Sequence, residues 1–499
     1  MATHLGTSVG IKRYKMEWLW MKPHQAIPSA KNLISKQHKA HRMKQDFCIQ
    51  MEALLGQDEA NMLTQAIEQS TPPVSVRVNA LKPSDSLPAP TDGAVPWCAA
   101  GQYLAERPRF TYDPLLHAGC YYVQEAASMF VEQAYKQITT DFTPHRLLDL
   151  CAAPGGKSTL WRSLMCDGDL LVANEPIRQR AQILAENLTK WGHPDVVCTS
   201  AYPEEFATLG SFFDVIAADV PCSGEGMFRK DAVAIDEWSP QAVDSCAARQ
   251  WQIIESVWPA LRQGGYLVYS TCTYNRQEDE DNVVRICNEL GAELVPIATQ
   301  PEWGIAGDTT GRNLPVYHFF PHKAKGEGLF LALLRKTSEA PVAKEKKGKK
   351  QRGNNNQPGI QGGAEIIKWI ANSHEFKLLR TDEAHVIAVR QSLADDVQRV
   401  CNTVRALTAG IMLVEEKGRK RIPQHALALS VQRAKEAFPV AELSLDDALN
   451  YLRREGITLP PDVPRGYVVA CYKGHALGFL NNLGARANNL YPQEWRIRN

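Results

Sequence analysis

Arg146-Leu147-Leu148-Asp149-Leu150-Cys151-Ala152-Ala153-Pro154-Gly155-Gly156-Lys157 is the stretch that decides the fold. A short apolar strand, Arg146–Leu150, runs into a glycine-rich turn, and a helix follows over 158–166. The alternation then continues. Strand Leu170–Asn174 leads to an amphipathic helix over 177–191, with Ile183, Leu184, Leu188 and Trp191 on one face. Strands Val196–Thr199 and Phe213–Asp219 come next, then a helix over 241–262, a strand over 266–270 and a helix over 277–290. Gly326-Glu327-Gly328 introduces a last strand, Leu329–Leu334. Strands alternating with helices predict an α/β domain whose mostly parallel, doubly wound sheet is covered on both faces.

In such a sheet, the loops that follow strand C-termini share one edge. The first of these loops opens a helix, so its backbone N–H groups can face a polar ligand. It nearly matches the phosphate loop G-x-x-x-x-G-K-[ST]. Gly156-Lys157-Ser158 fits, but Cys151 replaces the first glycine and Pro154 removes a donor. A triphosphatase is therefore a distant reading. Glu175 ends the second strand about 20 residues past the glycine turn, where this fold places an acid on ribose hydroxyls. A hydride enzyme would want G-x-G-x-x-G, which is absent. S-adenosylmethionine has a ribose and no pyrophosphate, and it fits this short loop better.

Two further loops on the same edge carry thiols. Asp219-Val220-Pro221-Cys222-Ser223-Gly224-Glu225-Gly226 follows one strand, and Ser270-Thr271-Cys272-Thr273 follows another. Methylating an amine needs no thiol. Cytosine C5 does, because it is a feeble carbon nucleophile until a sulfur adds at C6. An acid at N3 relieves the charge that this addition creates. A thiol is mostly protonated at neutral pH, so a cation such as Lys157 is wanted nearby. An isolated cysteine is more often a small buried residue. Two thiols beside an acid, downstream of a nucleoside loop, favour chemistry.

Working outward, residues 1–45 carry nine Lys or Arg, four His and one acid, Glu17. They read either as a solvated basic arm or as an extension without stable structure preceding a start at Met43. A helix over 46–65 and a strand Val74–Asn79 predict a small α/β module over 46–140. Residues 337–362, with Lys344, Lys346, Lys347, Lys349, Lys350 and Arg352, read as a basic flexible linker. It is a soluble tether or a tracker of phosphates. Residues 363–499 predict an α+β domain. Its end, from Gly478 to Pro492, suits RNA contacts or a turn-rich barrel end.

The 499 residues suffice for two or three domains. No apolar run approaches the ~20 residues of a membrane span, and the start lacks a signal-peptide core. Twelve cysteines without a Cys-x2-Cys pair give no zinc-ribbon spacing. The expectation is a cytoplasmic monomer with no metal and no membrane partner.

These motifs resemble the Nol/Nop/Sun family of RNA cytosine-5 methyltransferases, from about residue 46 to the C-terminus. The resemblance rests on Asp149–Lys157, Asn174-Glu175, Asp219–Gly226 and Ser270–Thr273. It is supported by Ser75–Asn79, Gln124-Glu125-Ala126, Arg180 and Gly326-Glu327-Gly328. Arg486–Pro492 resembles the PUA-like domain of the bacterial RsmF type, which modifies small-subunit ribosomal RNA. The resemblance implies a Rossmann-like class I methyltransferase domain over 141–336, flanked by an RNA-binding module over 46–140 and a PUA-like RNA-binding domain over 363–499. It implies 16S rRNA, or the small subunit, as partner, with transfer RNA or a non-catalytic assembly role as rivals. It makes Cys272 the nucleophile, Cys222 the thiol that aids release, Asp219 the partner of cytosine N3, and Lys157 its support. Cys151, Ala152, Ala153, Pro154, Gly155, Gly156, Lys157, Glu175, Arg180, Tyr202 and Asp219 would line the S-adenosylmethionine site. Three positions depart from the family pattern. Val220 replaces an alanine, Tyr202 stands where an aspartate near the adenine is usual, and Asn481 and Asn482 replace basic residues.

Overall fold

Leu170-Leu171-Val172-Ala173-Asn174 is buried at every position, as expected for a parallel strand with both faces covered. The computed structural model describes residues 43–339, 360 and 362–498. The expectations for the basic extension up to residue 42 and for the linker over 340–359 lie outside the described residues.

The strands, in chain order, are β1 (Val74–Val78), β2 (Thr91–Ala94), β3 (Gly101–Leu104), β4 (Tyr121–Val123), β5 (Arg146–Asp149), β6 (Leu170–Asn174), β7 (Val196–Thr199), β8 (Phe213–Asp219), β9 (Leu261–Thr271), β10 (Ala292–Leu294), β11 (Val316–Phe319) and β12 (Leu329–Lys336). The C-terminal region adds β13 (Phe376–Arg380), β14 (His385–Arg390), β15 (Ala406–Ala409), β16 (Ile411–Lys417), β17 (Lys420–Pro423), β18 (Val440–Glu442), β19 (Gly466–Tyr472), β20 (His475–Asn482) and β21 (Ala487–Asn489).

The central sheet runs β10-β12-β9-β8-β5-β6-β7-β15, with β11 also paired to β12. Pairing is parallel from β9 through β8, β5 and β6 to β7. It is antiparallel at β12 on one side and β15 on the other. This is the Rossmann-like, mostly parallel core expected from the sequence.

β15 was not foreseen. Ala406-Leu407-Thr408-Ala409 is a short run without strong alternation. It pairs with Thr199, Cys198 and Val197, and so covers what would be an open sheet edge. The helix expected over 46–65 is two helices, Gln45–Leu55 and Gln57–Gln69. Gly56 separates them at φ 82°, a conformation that only glycine adopts readily.

Residues 74–123 form the sheet β2-β3-β1-β4, and the C-terminal region forms two more sheets, β13-β14-β16-β17 and β18-β19-β20-β21. The last of these shares a core with the N-terminal module. Val76, Leu104, Leu115 and Tyr121 pack with Tyr451, Leu452, Val468 and Leu480. Asn482 is buried; its amide donates to Val463 O (2.9 Å) and Pro464 O (3.1 Å), and its side-chain oxygen accepts from Gly484 N. It organises a turn.

The sheet β13-β14-β16-β17 is tied to the catalytic core by Arg390 at the end of β14. Its Nε donates to both Asp195 oxygens, at 3.1 and 2.9 Å, and Asp195 is fully buried. Removing one partner of a buried ion pair leaves the other charge uncompensated. Arg390→Ala is expected to lower the stability of the chain by about 3–5 kcal/mol, measured by urea unfolding.

Candidate active site

Register brings the thiols together. β8 and β9 run parallel, and Asp219 stands opposite Ser270. The loops that leave these residues therefore start side by side. Val220 N donates to Ser270 O at 3.0 Å, and Gly226 N donates to Cys272 O at 2.8 Å. Between those two anchors Cys222 turns toward Cys272, and their Sγ atoms lie 2.9 Å apart. That is a shared hydrogen and not a disulfide, whose bond is about 2.05 Å.

The approach requires glycine. A Cβ on Gly226 would lie 2.8 Å from Gly328 O and 2.9 Å from its Cα, and 3.0 Å from Cys272 O. Glu225, also within the loop, is fully buried. Its carboxylate accepts from Gln50 Nε2 (3.0 Å), Trp238 Nε1 (3.0 Å), Tyr274 N (2.7 Å) and Asn275 Nδ2 (3.1 Å). One side chain thus joins the N-terminal helices to both thiol loops.

Asp219 is held from two sides. Lys157 Nζ lies 2.9 Å from Oδ2, and Ser270 Oγ donates to Oδ1 at 2.8 Å. Burial alone would push the Lys157 ammonium down. The charge and hydrogen bond of Asp219, with Asp149 and Cys272 nearby, more than offset this and hold it above its ordinary value. Lys157 is therefore a permanent cation at neutral pH. The Cys222 thiol is held well above its ordinary value by its hydrogen bond to Cys272 and by burial. Cys222 keeps its proton and can lend it to the Cys272 sulfur.

The glycine turn is fixed by its neighbours. Ala152 N donates to Asn174 O at 2.8 Å. The Asn174 amide donates to Leu150 O and Ala201 O, both at 3.0 Å, and its oxygen accepts from Thr199 Oγ1 and Ala201 N. One asparagine thus ties together the loops after β5, β6 and β7. Gly155 has φ 116°, and the helix Gly156–Leu164 begins immediately after it. Arg77 of β1 reaches over from the N-terminal module. It is fully buried, donates to Gln124 Oε1 (2.8 Å), Thr159 Oγ1 (2.5 Å) and Gly156 O (3.3 Å), and stacks on Trp191.

Glu175 is buried at the end of β6. Its oxygens meet Ile177 N at 3.0 Å and the Arg180 guanidinium at 3.3 Å, and burial raises its carboxyl despite both. Arg180 also donates to Ala153 O at 3.3 Å. Cys151 is a neutral thiol, raised by burial and by Glu175, Asp219 and Asp149 around it. Ser158 Oγ donates to Asp149 Oδ2 at 2.6 Å, and burial pushes that carboxyl up to about 7.

A triphosphate would meet three carboxylic groups here. A nucleoside bearing a sulfonium and an amino group meets acceptors of the right sign, with Glu175 for its ribose and the turn Cys151–Gly155 for its backbone-facing atoms. The donor set fits S-adenosylmethionine.

Cys151, Ala152, Ala153, Pro154, Gly155, Gly156, Lys157, Glu175, Arg180 and Asp219 thus lie along one edge, continuous with Cys222 and Cys272. Tyr202 follows Ala201 on the same edge. It is 37% exposed, and its N–H donates to Glu205 Oε1 at 2.7 Å. Val220 is buried against the sheet. Sequence reasoning gave no role to Ser270 or Glu225, although both stood in the quoted motifs. Arg77 likewise carried no role in the sequence, because its partners Gln124, Gly156 and Thr159 are distant in the chain.

Residues 140–335 match the family model described as 16S rRNA methyltransferase RsmB/F. Residues 43–126 match the N-terminal domain of 16S rRNA methyltransferase RsmF, and residues 438–497 match the methyltransferase RsmF PUA domain. The ribosomal RNA small subunit methyltransferase F of Erwinia tasmaniensis is 32% identical over 478 residues, covering 90% of this chain and 95% of that protein. Its namesake from Salmonella enteritidis is 32% identical over 449 residues, covering 84% and 89%. Among solved structures, NSun6 from Pyrococcus horikoshii with SFG shares the fold at TM-score 0.50 and 20% identity, covering 60% of this chain and 99% of that one.

Gly226→Ala is expected to cost about 1–3 kcal/mol through overpacking and to abolish methyl transfer, read by thermal unfolding and by a labelled-methyl assay. Asp149 gives a pH dependence. Its folded-state value of about 7 lies above its ordinary 3.8, so its contribution is greatest in acid and is lost as pH rises through about 7. Asp149→Asn should flatten the fall in stability between pH 4 and 7, where one such group gives a slope of at most ~1.4 kcal/mol per pH unit.

Proposed function

The chain belongs to the 16S rRNA methyltransferase RsmB/F family, and from that premise we propose that it methylates C5 of a cytosine in 16S rRNA, with Cys272 as the nucleophile. It is an S-adenosylmethionine-dependent rRNA methyltransferase of the RsmF type. The observation that carries the finer reading is the pair of thiols 2.9 Å apart beside the Lys157–Asp219 ion pair. Methylation of an amine or a ribose hydroxyl has no use for that pair.

The target base leaves its stack to reach the sulfur. Cys272 Sγ adds to C6, and the C5=C6 electron pair moves to C5, which becomes nucleophilic. Asp219 faces N3 and the exocyclic amine of the base, and Lys157 and Ser270 keep its carboxyl in place. The cofactor supplies an electrophilic methyl group. Cys151–Lys157, Glu175 and Arg180 would hold it, and Tyr202, on the same edge, would stand toward its adenine.

Once C5 carries its methyl group, its proton passes to solvent and the electron pair re-forms C5=C6. The S–C6 bond breaks, and Cys222 donates its proton to the departing Cys272 sulfur. That proton then returns across the Sγ–Sγ contact, and the pair is reset with one proton released overall. Cys222 thus serves release and not attack, in keeping with its raised thiol.

Two measurements test this. Bisulfite sequencing of 16S rRNA should lose one 5-methylcytosine when the gene is removed; an unchanged pattern rejects the reading. Cys222→Ala should accumulate a covalent RNA–protein adduct through Cys272, and Cys272→Ala should form none. Asp219→Asn should slow turnover by about 10²–10⁴-fold.

A further inference from the structure

We propose that Gln250 and Glu278 are positioning residues for Cys222, gripping the peptide units on either side of it so that its thiol can reach the Cys272 sulfur. The inference rests on the release role given above to Cys222.

The loop after β8 crosses from Val220 to Gly226, and its backbone anchors at both ends have been described. Between them the chain is held by side chains. Gln250 Nε2 donates to Pro221 O at 3.1 Å, just before Cys222. Glu278 Oε2 accepts from Ser223 N at 3.0 Å, just after it. The two side chains also bond one another, Gln250 Nε2 to Glu278 Oε2 at 2.7 Å. Both are fully buried.

The grip is itself anchored beside the other thiol. Tyr269 of β9 stands three residues before Cys272. Its hydroxyl donates to Glu278 O (2.6 Å), with Gln250 Oε1 also within reach at 3.0 Å. Asn282 Nδ2 donates to Gln250 Oε1 at 2.8 Å. Asn275 Nδ2 donates to Glu278 Oε1 at 2.8 Å, while its oxygen accepts from Glu278 N at 2.9 Å. The pair thus couples the Cys222 loop to the strand and turn that carry Cys272.

Burial pushes the Glu278 carboxyl up to about 7, and its ionised form suits this place because it only accepts. Ser223 N–H, the Gln250 amide and the Asn275 amide converge on it, and a donor there would face donors. Displacing a reacting group by about 1 Å costs on the order of 10²-fold in rate. Proton transfer between the two sulfurs is the step most exposed to such a displacement. Attack by Cys272 does not need Cys222 in place.

The test uses the full chain with in vitro transcribed 16S rRNA and labelled methyl donor. Gln250→Ala, Gln250→Met, Glu278→Ala and Glu278→Gln are compared with wild type and Cys222→Ala, after cofactor binding and thermal unfolding of each are measured. The expected result is a first methyl-transfer burst within threefold of wild type, a steady turnover at least tenfold slower, and a persistent RNA–protein adduct. Glu278→Gln should recover release better than Glu278→Ala, since its carbonyl still accepts from Ser223 N. Burst and turnover falling together, or release at the wild-type rate, would overturn the proposal. Gln250→Met and Glu278→Gln decide it if the alanine variants do not fold. Should Cys222→Ala itself trap no adduct, the release role of Cys222 fails independently of the grip.

Discussion

The parallel pairing of β8 with β9, in the register that sets Asp219 against Ser270, is the constraint from which the site follows. Side chains in a strand alternate between faces, so a slip of one residue would turn Asp219 away from Lys157 and separate the two thiol loops. The register is enforced by burial. Val215 to Ala218 and Tyr266 to Tyr269 are all buried in the sheet interior. The Val220 and Gly226 backbone bonds extend the pairing past the strand ends, and the contact between Gly226 and Gly328 closes it. The sulfur–sulfur distance is therefore a product of sheet packing and not of the cysteines.

Charge is arranged on the same edge with equal economy. Asp149, Glu175 and Asp219 crowd one rim, where burial raises the first two. Lys157 is the cation that makes the crowd tolerable, and its first-turn position is set by the glycine loop. Arg77 fixes that loop from the N-terminal module without an anion of its own. Its hydrogen bonds go to an amide, a hydroxyl and a carbonyl, and its flat face rests on Trp191. Burying a guanidinium is costly, and here Nη1 lacks a hydrogen-bond partner among the described residues while burial pushes the group down to about 10.

The catalytic domain was legible because its signals are local. Apolar strands, glycine turns and amphipathic helices each declare themselves within about a dozen residues. Asp219, Cys222, Cys272 and Glu175 stand at or just past strand ends, and Lys157 stands in the first turn of the helix after β5, so the fold itself supplies their convergence. Partners across long separations were not legible. Nothing near Gln250 marks it as a ligand of Pro221, because it sits mid-helix among residues that read as an ordinary amphipathic face. β15 was hidden for a related reason. A four-residue edge strand needs only a partner with free backbone groups, and β7 supplied one about 200 residues away.

β15 and the shared N- and C-terminal core change how the flanking regions relate to catalysis. Val76, Leu104 and Tyr121 bury against Val468, Leu480 and Tyr451, so neither region has a complete core alone. Each large apolar side chain buried there contributes roughly 1.5–3 kcal/mol. Arg390 and β15 then fasten the intervening sheet to β7 and Asp195. A tethered RNA-binding domain would raise local concentration but leave orientation free. These regions are built into the body that carries the thiols, so under the proposed function an RNA held by them would meet Cys272 in a set direction. Orientation, which a flexible linker cannot supply, is what the proposed attack of one sulfur on one base would require.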